Sequence, residues 1–129
     1  MIKIYNWLDV PRSYTGIVEH INGSKAWCLK GQLHREDGPA HEYPDGTKYW
    51  YLNGGYHRED GPAVEYSNGL KAWYLNGKFL FTLPPESQSF ILLEEFVDGE
   101  NKKQLKVLTQ KGIEIWPNLP GLKELAENV

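Results

Sequence analysis

His34 and His57 each stand three residues before an aspartate, Asp37 and Asp60, and an imidazole beside a carboxylate is what a general base with an orienting partner needs. Both pairs lie in the heptapeptide His-Arg-Glu-Asp-Gly-Pro-Ala, found at 34–40 and again at 57–63. A catalytic centre needs one constellation. A pair that recurs with a repeat is explained by hydrogen bonding within the recurring turn, so a structural role is expected for both histidines and an enzyme is not. His34, His41 and His57 also offer metal ligands, yet no Cys or acidic group completes a zinc-type spacing, and neither metal nor cofactor is expected. Cys28, the single cysteine, takes the repeat position held elsewhere by Tyr51 and Tyr74, and is expected to be an ordinary substitution rather than a nucleophile.

Arg35 and Arg58 sit beside Glu36 and Glu59 and across from Glu42 and Glu65, so each unit is expected to neutralise itself through weak cross-strand pairs. The alternative chemistry is capture of a ligand. Arg35 and Arg58 with Tyr51 and Tyr74 would form a ladder that holds a phosphorylated, nucleotide-like molecule by bidentate hydrogen bonds and stacking. The candidate binding residues are therefore Tyr51, Tyr74, Arg35, Arg58, Glu42 and Glu65. Trp116, flanked by Pro117 and Pro120, joins them as a loop-borne anchor for a partner.

A repeat must position these residues. Units 34–56 and 57–79 match at 16 of 23 positions, and an eroded copy occupies 11–33, where Glu19, Gly23, Lys25, Trp27, Leu29 and Gly31 keep register. Asn22-Gly23, Asp45-Gly46 and Asn68-Gly69 predict one hairpin turn per unit, and Asn53-Gly54 and Asn76-Gly77 a second. Gly38-Pro39 and Gly61-Pro62 break the ladder between units. With a two-residue loop at Asp45-Gly46, Tyr43 pairs with Lys48, His41 with Trp50 and Ala40 with Tyr51. The second turn then sets Trp50 opposite His57 and Tyr49 opposite Arg58. Parity places Trp27, Trp50 and Trp73 with Leu29, Leu52, Leu75, Val18 and Val64 on one buried face, indole stacked on indole, and Glu19, Glu42, Glu65, Arg35 and Arg58 on the other.

The run Trp-Tyr-Leu-Asn-Gly-x-x-His-Arg-Glu-Asp-Gly-Pro-Ala-x-Glu-Tyr-x-Asn/Asp-Gly resembles the MORN repeat, a β-hairpin module of 23 residues, over about residues 11–79. The extra Arg-Glu-Asp before Gly-Pro departs from the common His-Gly-x-Gly form. Arrays of this type are similar to repeats of large DNA viruses and bacteriophages, and to small bacterial antitoxin-like proteins. The resemblance implies an interaction scaffold without a shared catalytic centre. It points to a non-enzymatic protein-binding module, such as a phage or viral inhibitor of a host defence protein, with a host protein as partner. A sponge for a nucleotide-like signal and an antitoxin-like role are the alternatives.

Composition narrows the classes. The 129 residues carry a net charge of −3 and 17 aromatic rings, which suits a globular domain and disfavours nucleic acid as a partner. Charges cancel within 11–79, eight against eight, which also disfavours membrane-surface binding. With no apolar h-region in the first 30 residues and no spanning run, a cytoplasmic protein, in the host cytoplasm if viral, is expected.

The ends complete the expected architecture, which is mainly β with a small α part at the C-terminus. Residues 1–10 are expected to form an edge strand or cap, with Trp7 sealing the end of the indole stack. Residues 80–129, with five lysines against eight acids, are expected to form an acidic helical tail. Phe90, Leu93 and Phe96 mark a helix over Ser89 to Phe96, and Leu105 and Leu108 another over Asn101 to Lys111, stopped by Gly112. A last helix is expected over Leu122 to Glu127, and the tail is expected to cap three stacked hairpins, to be the partner-binding element, or both.

Overall fold

In the computed structural model, which describes residues 1–127, Asn22-Gly23, Asp45-Gly46 and Asn68-Gly69 close hairpins of one design. These join β2 (Gly16–His20) to β3 (Lys25–Leu29), β5 (His41–Glu42) to β6 (Lys48–Tyr49), and β9 (Val64–Glu65) to β10 (Lys71–Leu75), β1 (Ile2–Ile4) and β4 (Gln32–Leu33) lying alongside. In each tip the glycine N–H donates to the carbonyl of His20, Tyr43 or Tyr66, at 2.9, 3.1 and 2.9 Å. The Asn or Asp side chain accepts from the N–H two residues on, at 2.8 to 3.0 Å. Only the glycine takes positive φ, 94 to 96°. This is a three-residue loop, a type I turn followed by a left-handed glycine.

The two-residue loop expected from the sequence is thus one residue short. His41 pairs with Tyr49 rather than Trp50, and Tyr43 closes on Thr47 rather than Lys48. A slip of one residue exchanges the faces. Val18 lies opposite Ala26, and Trp27 opposite Ile17.

The second turn follows the sequence closely. Lys30, Asn53 and Asn76 have φ of 49 to 50° and the glycines after them 78 to 83°, as a type I′ turn requires. They link β3 to β4, β7 (Tyr51–Leu52) to β8 (Gly55–Tyr56), and β10 to β11 (Lys78–Leu83). His57 faces Trp50 as expected and donates its N–H to the Trp50 carbonyl at 3.0 Å. Arg58 instead turns away from Tyr49, its N–H 3.4 Å from the carbonyl of Tyr74 in its own unit. Units join where the backbone N–H groups of Trp27 and Trp50 donate to the carbonyls of Ala40 and Ala63, both at 2.7 Å. The nine-stranded sheet runs β1-β2-β3-β5-β6-β9-β10-β11, with β4 beside β3 and β1 as a parallel edge strand. The β7/β8 hairpin stands off it as a separate pair.

The C-terminal part is not helical. Residues expected as helices form β12 (Ile91–Val97), β13 (Lys103–Thr109) and β14 (Gly112–Pro117), an antiparallel three-stranded sheet. The helices among the described residues are single 3-10 turns at Trp7–Asp9, Pro85–Ser87 and Lys123–Leu125. Asp98 turns β12 into β13 by accepting from the N–H groups of Glu100 and Lys102 at 2.9 and 3.0 Å, and Asn101 takes the left-handed position at φ 64°. Gly112, expected to stop a helix, opens β14 opposite Thr109. Among the described residues no helix is long and apolar enough to cross a membrane.

The largest core lies where this sheet meets the last repeat. Trp73, Leu83, Phe90, Leu105, Val107, Trp116 and Leu122 bury together, and the Trp73 Nε1–H donates to the Pro120 carbonyl at 2.7 Å. A smaller core of Ile4, Val18 and Ala26 closes the other end.

Candidate functional site

The Trp27, Trp50 and Trp73 side chains do not stack on one another. Each receives the residue eight positions later instead. The Arg35 guanidinium lies 4.0 Å above Trp27, that of Arg58 4.0 Å above Trp50, and Phe81 takes the equivalent place 5.9 Å from Trp73. Only Trp73 is fully buried; Trp27 and Trp50 are half-buried beneath their arginines. The arginines therefore belong to the tryptophan side, not the opposite face that the register read from the sequence assigned them.

Each arginine is held from several directions. Arg58 Nε donates to Asp60 at 2.8 Å and Nη1 to the Pro62 carbonyl at 3.1 Å, while Glu65 stands 3.7 Å away. Arg35 repeats this with Asp37 at 2.9 Å and Pro39 at 3.2 Å. A Cβ on Gly38 or Gly61 would come within 2.9 Å of the guanidinium carbon, so glycine is what lets the turn lie flat on it. The Arg-x-Asp-Gly-Pro motif is thus a staple closed on the tryptophan of the preceding hairpin. Hydrogen bonds from Arg35 and Arg58 hold the Asp37 and Asp60 carboxyls below the usual range.

The histidines complete the joint. His34 and His57 accept on Nδ1 from the turn N–H groups of Asn53 and Asn76, at 2.9 and 3.0 Å. Their Nε2 atoms face Glu36 and Glu59, at 3.7 and 3.4 Å, rather than the aspartates that the sequence set beside them. Among the described residues no three His, Cys, Asp or Glu side chains are grouped as metal ligands. Cys28 is half-buried against the Ile4/Val18/Ala26 cluster, and burial pushes its thiol pKa up.

Arg35, Arg58, Glu36, Glu59, Trp50 and His57 line a groove of about 740 Å³ between two units. Tyr51 and Tyr74 do not line it, so the expected ladder of arginines and tyrosines is not assembled. Glu42 lies opposite Lys25 and Lys48, and Glu65 opposite Lys48 and Lys71, as neutralising cross-strand neighbours. Trp116 is 5% exposed and packs on Phe81 and Phe90, in the core rather than at a loop surface.

Tyr51 and Tyr74 belong to a second surface. A chain of ring contacts runs from Trp7 through His41, Tyr49, Tyr56 and Tyr74 to Phe79, with centroids 4.9 to 6.2 Å apart. His20, Tyr43, Tyr51 and Tyr66 extend it sideways. Trp7, expected to cap the indoles, stacks instead on His20 at 5.4 Å. Trp7, Tyr43, Tyr66 and Phe79 are 37 to 53% exposed. Burial, with neighbouring phenols and Asp45 adding to it, raises the pKa values of Tyr43 and Tyr49, the latter to about 12. Tyr51 rises through burial and its hydrogen bond with Tyr56. Burial lowers that of His41.

Sequence reasoning passed over Tyr43, Tyr49 and Tyr66. The available signal was the tyrosine shared by repeat positions 43 and 66, and the lone tyrosine at 49, where the flanking units carry Ala26 and Ala72. Comparison with known proteins finds no matching family model, curated protein or solved structure.

Proposed function

We propose that this protein is a non-enzymatic protein-binding module whose contact surface is the aromatic band shared by the nine-stranded sheet and the β7/β8 hairpin. The observation that carries this reading is the connected band of rings from Trp7 to Phe79, with four of its large side chains 37 to 53% exposed. Contiguous apolar surface of this kind on a folded chain marks interaction sites, and tyrosine and tryptophan supply large contact area at low entropic loss. Strand pairing fixes the rings in place beforehand, which reduces the ordering penalty of binding. The likeness of the repeats to MORN modules, which serve as interaction scaffolds, supports the same reading and suggests a host protein as partner.

Capture from a bacterial host lysate on immobilised protein tests this. Wild type should retain a defined protein that the Tyr43→Ala/Tyr66→Ala and Tyr51→Ala/Tyr74→Ala variants lose while keeping the wild-type circular dichroism. Capture by the variants equal to that of wild type would move the interface elsewhere.

A further inference from the structure

Between the second and third hairpin tips lies a recess of about 370 Å³ whose walls are Tyr43, Tyr49 and Tyr66. Tyr43 and Tyr66 both stand nearly perpendicular to Tyr49, at 73° and 84°, with centroids 5.7 and 6.0 Å away. His41 stacks on one face of Tyr43 at 4.5 Å and fixes that ring. Asp45, Thr47 and Asn68 stand around the recess, and none of its lining residues is Lys, Arg or His. We infer that this three-tyrosine box binds an organic cation, the ammonium or guanidinium head of a basic side chain on the partner protein.

The chemistry follows from the groups present. Ring faces carry negative quadrupole density, and several rings around one recess attract a cation that is weakly hydrated. Asp45 supplies the counter-charge. Its Oδ1 is engaged by the Thr47 N–H at 2.9 Å, and backbone hydrogen bonding from Thr47 keeps the carboxylate ionised. The box occurs once in the array because Tyr49 is replaced by Ala26 and Ala72 in the flanking units. Elsewhere this same chain holds guanidinium groups on aromatic faces beside an aspartate, as Arg58 lies on Trp50 with Asp60 at 2.8 Å. The inference rests on the protein-binding reading for the source of the cation, but binding of the cation itself is measurable without any partner.

Titration with choline, followed by NMR of the tyrosine rings, tests it directly. Saturable shifts are expected at Tyr43, Tyr49 and Tyr66, with the neutral isostere 3,3-dimethylbutanol binding roughly tenfold more weakly. N-acetyl-lysine methylamide, its trimethylated form and N-acetyl-arginine methylamide then separate ammonium from guanidinium sources. Asp45→Asn is the decisive variant, since Asn22 and Asn68 close the neighbouring tips and the turn should be kept; it should weaken the cation several-fold and leave the isostere unchanged. Tyr66→Ala should abolish the shifts. Equal binding of cation and isostere, no effect of Asp45→Asn, or no ring shifts at all would overturn the inference. Lysate capture that depends on Tyr66 in a protein that ignores these cations would leave the protein-binding reading standing and remove the cation alone.

Discussion

The staple makes a quantitative claim about Gly61. The Arg58 guanidinium is confined between the Trp50 ring, 4.0 Å below it, and the Gly61 backbone, where an added Cβ would lie 2.9 Å from Cζ, 3.1 Å from Nε and 3.2 Å from Nη1. A long side chain can usually swing away from such a clash. Here the swing gives up the indole contact and the bond to the Pro62 carbonyl at 3.1 Å. The indole contact contributes about 1 kcal/mol for a half-covered cation and the carbonyl bond about 1 kcal/mol, while the exposed Asp60 partner adds little. Replacing glycine offsets about 0.5 kcal/mol by restricting the unfolded chain. Gly61→Ala should therefore destabilise by about 1.5 kcal/mol. In an Arg58→Ala background the same change should stabilise by about 0.5 kcal/mol, so the coupling between the two sites is about 2 kcal/mol. Urea denaturation of the four proteins of this cycle measures it. Gly38→Ala, with Arg35 at the same three distances, serves as a replicate. A Gly61→Ala effect of the same sign and size with and without Arg58 would refute the staple.

Three further outcomes follow from the joints and the aromatic face. His57→Ala removes the acceptor of the Asn76 N–H and should destabilise by about 1–2 kcal/mol with faster amide exchange at Asn76; unchanged exchange would dismiss that role. Ser24 Oγ is fully buried without a partner, because Pro44 stands where Ser67, one repeat later, gives its N–H to Thr47 Oγ1 at 3.1 Å. Ser24→Ala should thus be neutral or stabilising by up to about 1 kcal/mol in thermal melts, and destabilising once Pro44→Ala restores the donor. For pH, Asp37, Asp45, Asp60 and Asp98 are held below the ordinary carboxylate value and burial holds His41 below that of imidazole, so the unfolded chain takes up protons first. Melting temperature should fall as pH drops below about 6.5, where His41 titrates in the unfolded chain, and more steeply below about 4. On the alkaline side the unfolded tyrosine ionises near pH 10 while Tyr49 holds its proton to about 12, so its stabilisation is full below about pH 10 and is lost as pH rises through 12. Tyrosinate absorbance should show a late-titrating fraction that Tyr49→Phe reduces.

The repeat and its β character were legible because an Asn or Asp followed by Gly recurs at an offset of 23, and it makes the same turn at all three tips. The register was not read correctly, since Asn-Gly and Asp-Gly serve two turn types. At Asn53-Gly54 both residues are left-handed, whereas at Asp45-Gly46 only the glycine is. Pro44 carried a signal at one tip, because proline favours the first central position of a type I turn; Ile21 and Ser67 take that position in the other two loops of the same length. In the tail, Phe90, Leu93 and Phe96 imitated a helical stripe, while the period-two pair Leu105 and Val107, both fully buried on one face of β13, was the truer guide.

The same one-residue slip decides how function is read. With the slip, Arg35 and Arg58 leave the recognition face and become the covers of Trp27 and Trp50, so the charged motif most conspicuous in the sequence is spent on joining units. What remains free is the side of the strands bearing Tyr43, Tyr49 and Tyr66, residues that have no catalytic spacing. A repeat that makes its own adhesive from Arg, Asp, Gly and Trp can vary the ring at position 49 without loosening the array, because Ala26, Tyr49 and Ala72 occupy equivalent places while the joints on either side keep the same bonds. The selective part of recognition is therefore expected at position 49, where the repeats differ, on a band that the shared pairs Tyr43/Tyr66 and Tyr51/Tyr74 continue, and the stability of the joints at Arg35 and Arg58, where they agree. Exchanging Tyr49 for alanine should leave the denaturation midpoint nearer to wild type than Arg58→Ala does while removing binding at the box; a larger loss of stability from Tyr49→Ala than from Arg58→Ala would contradict that division.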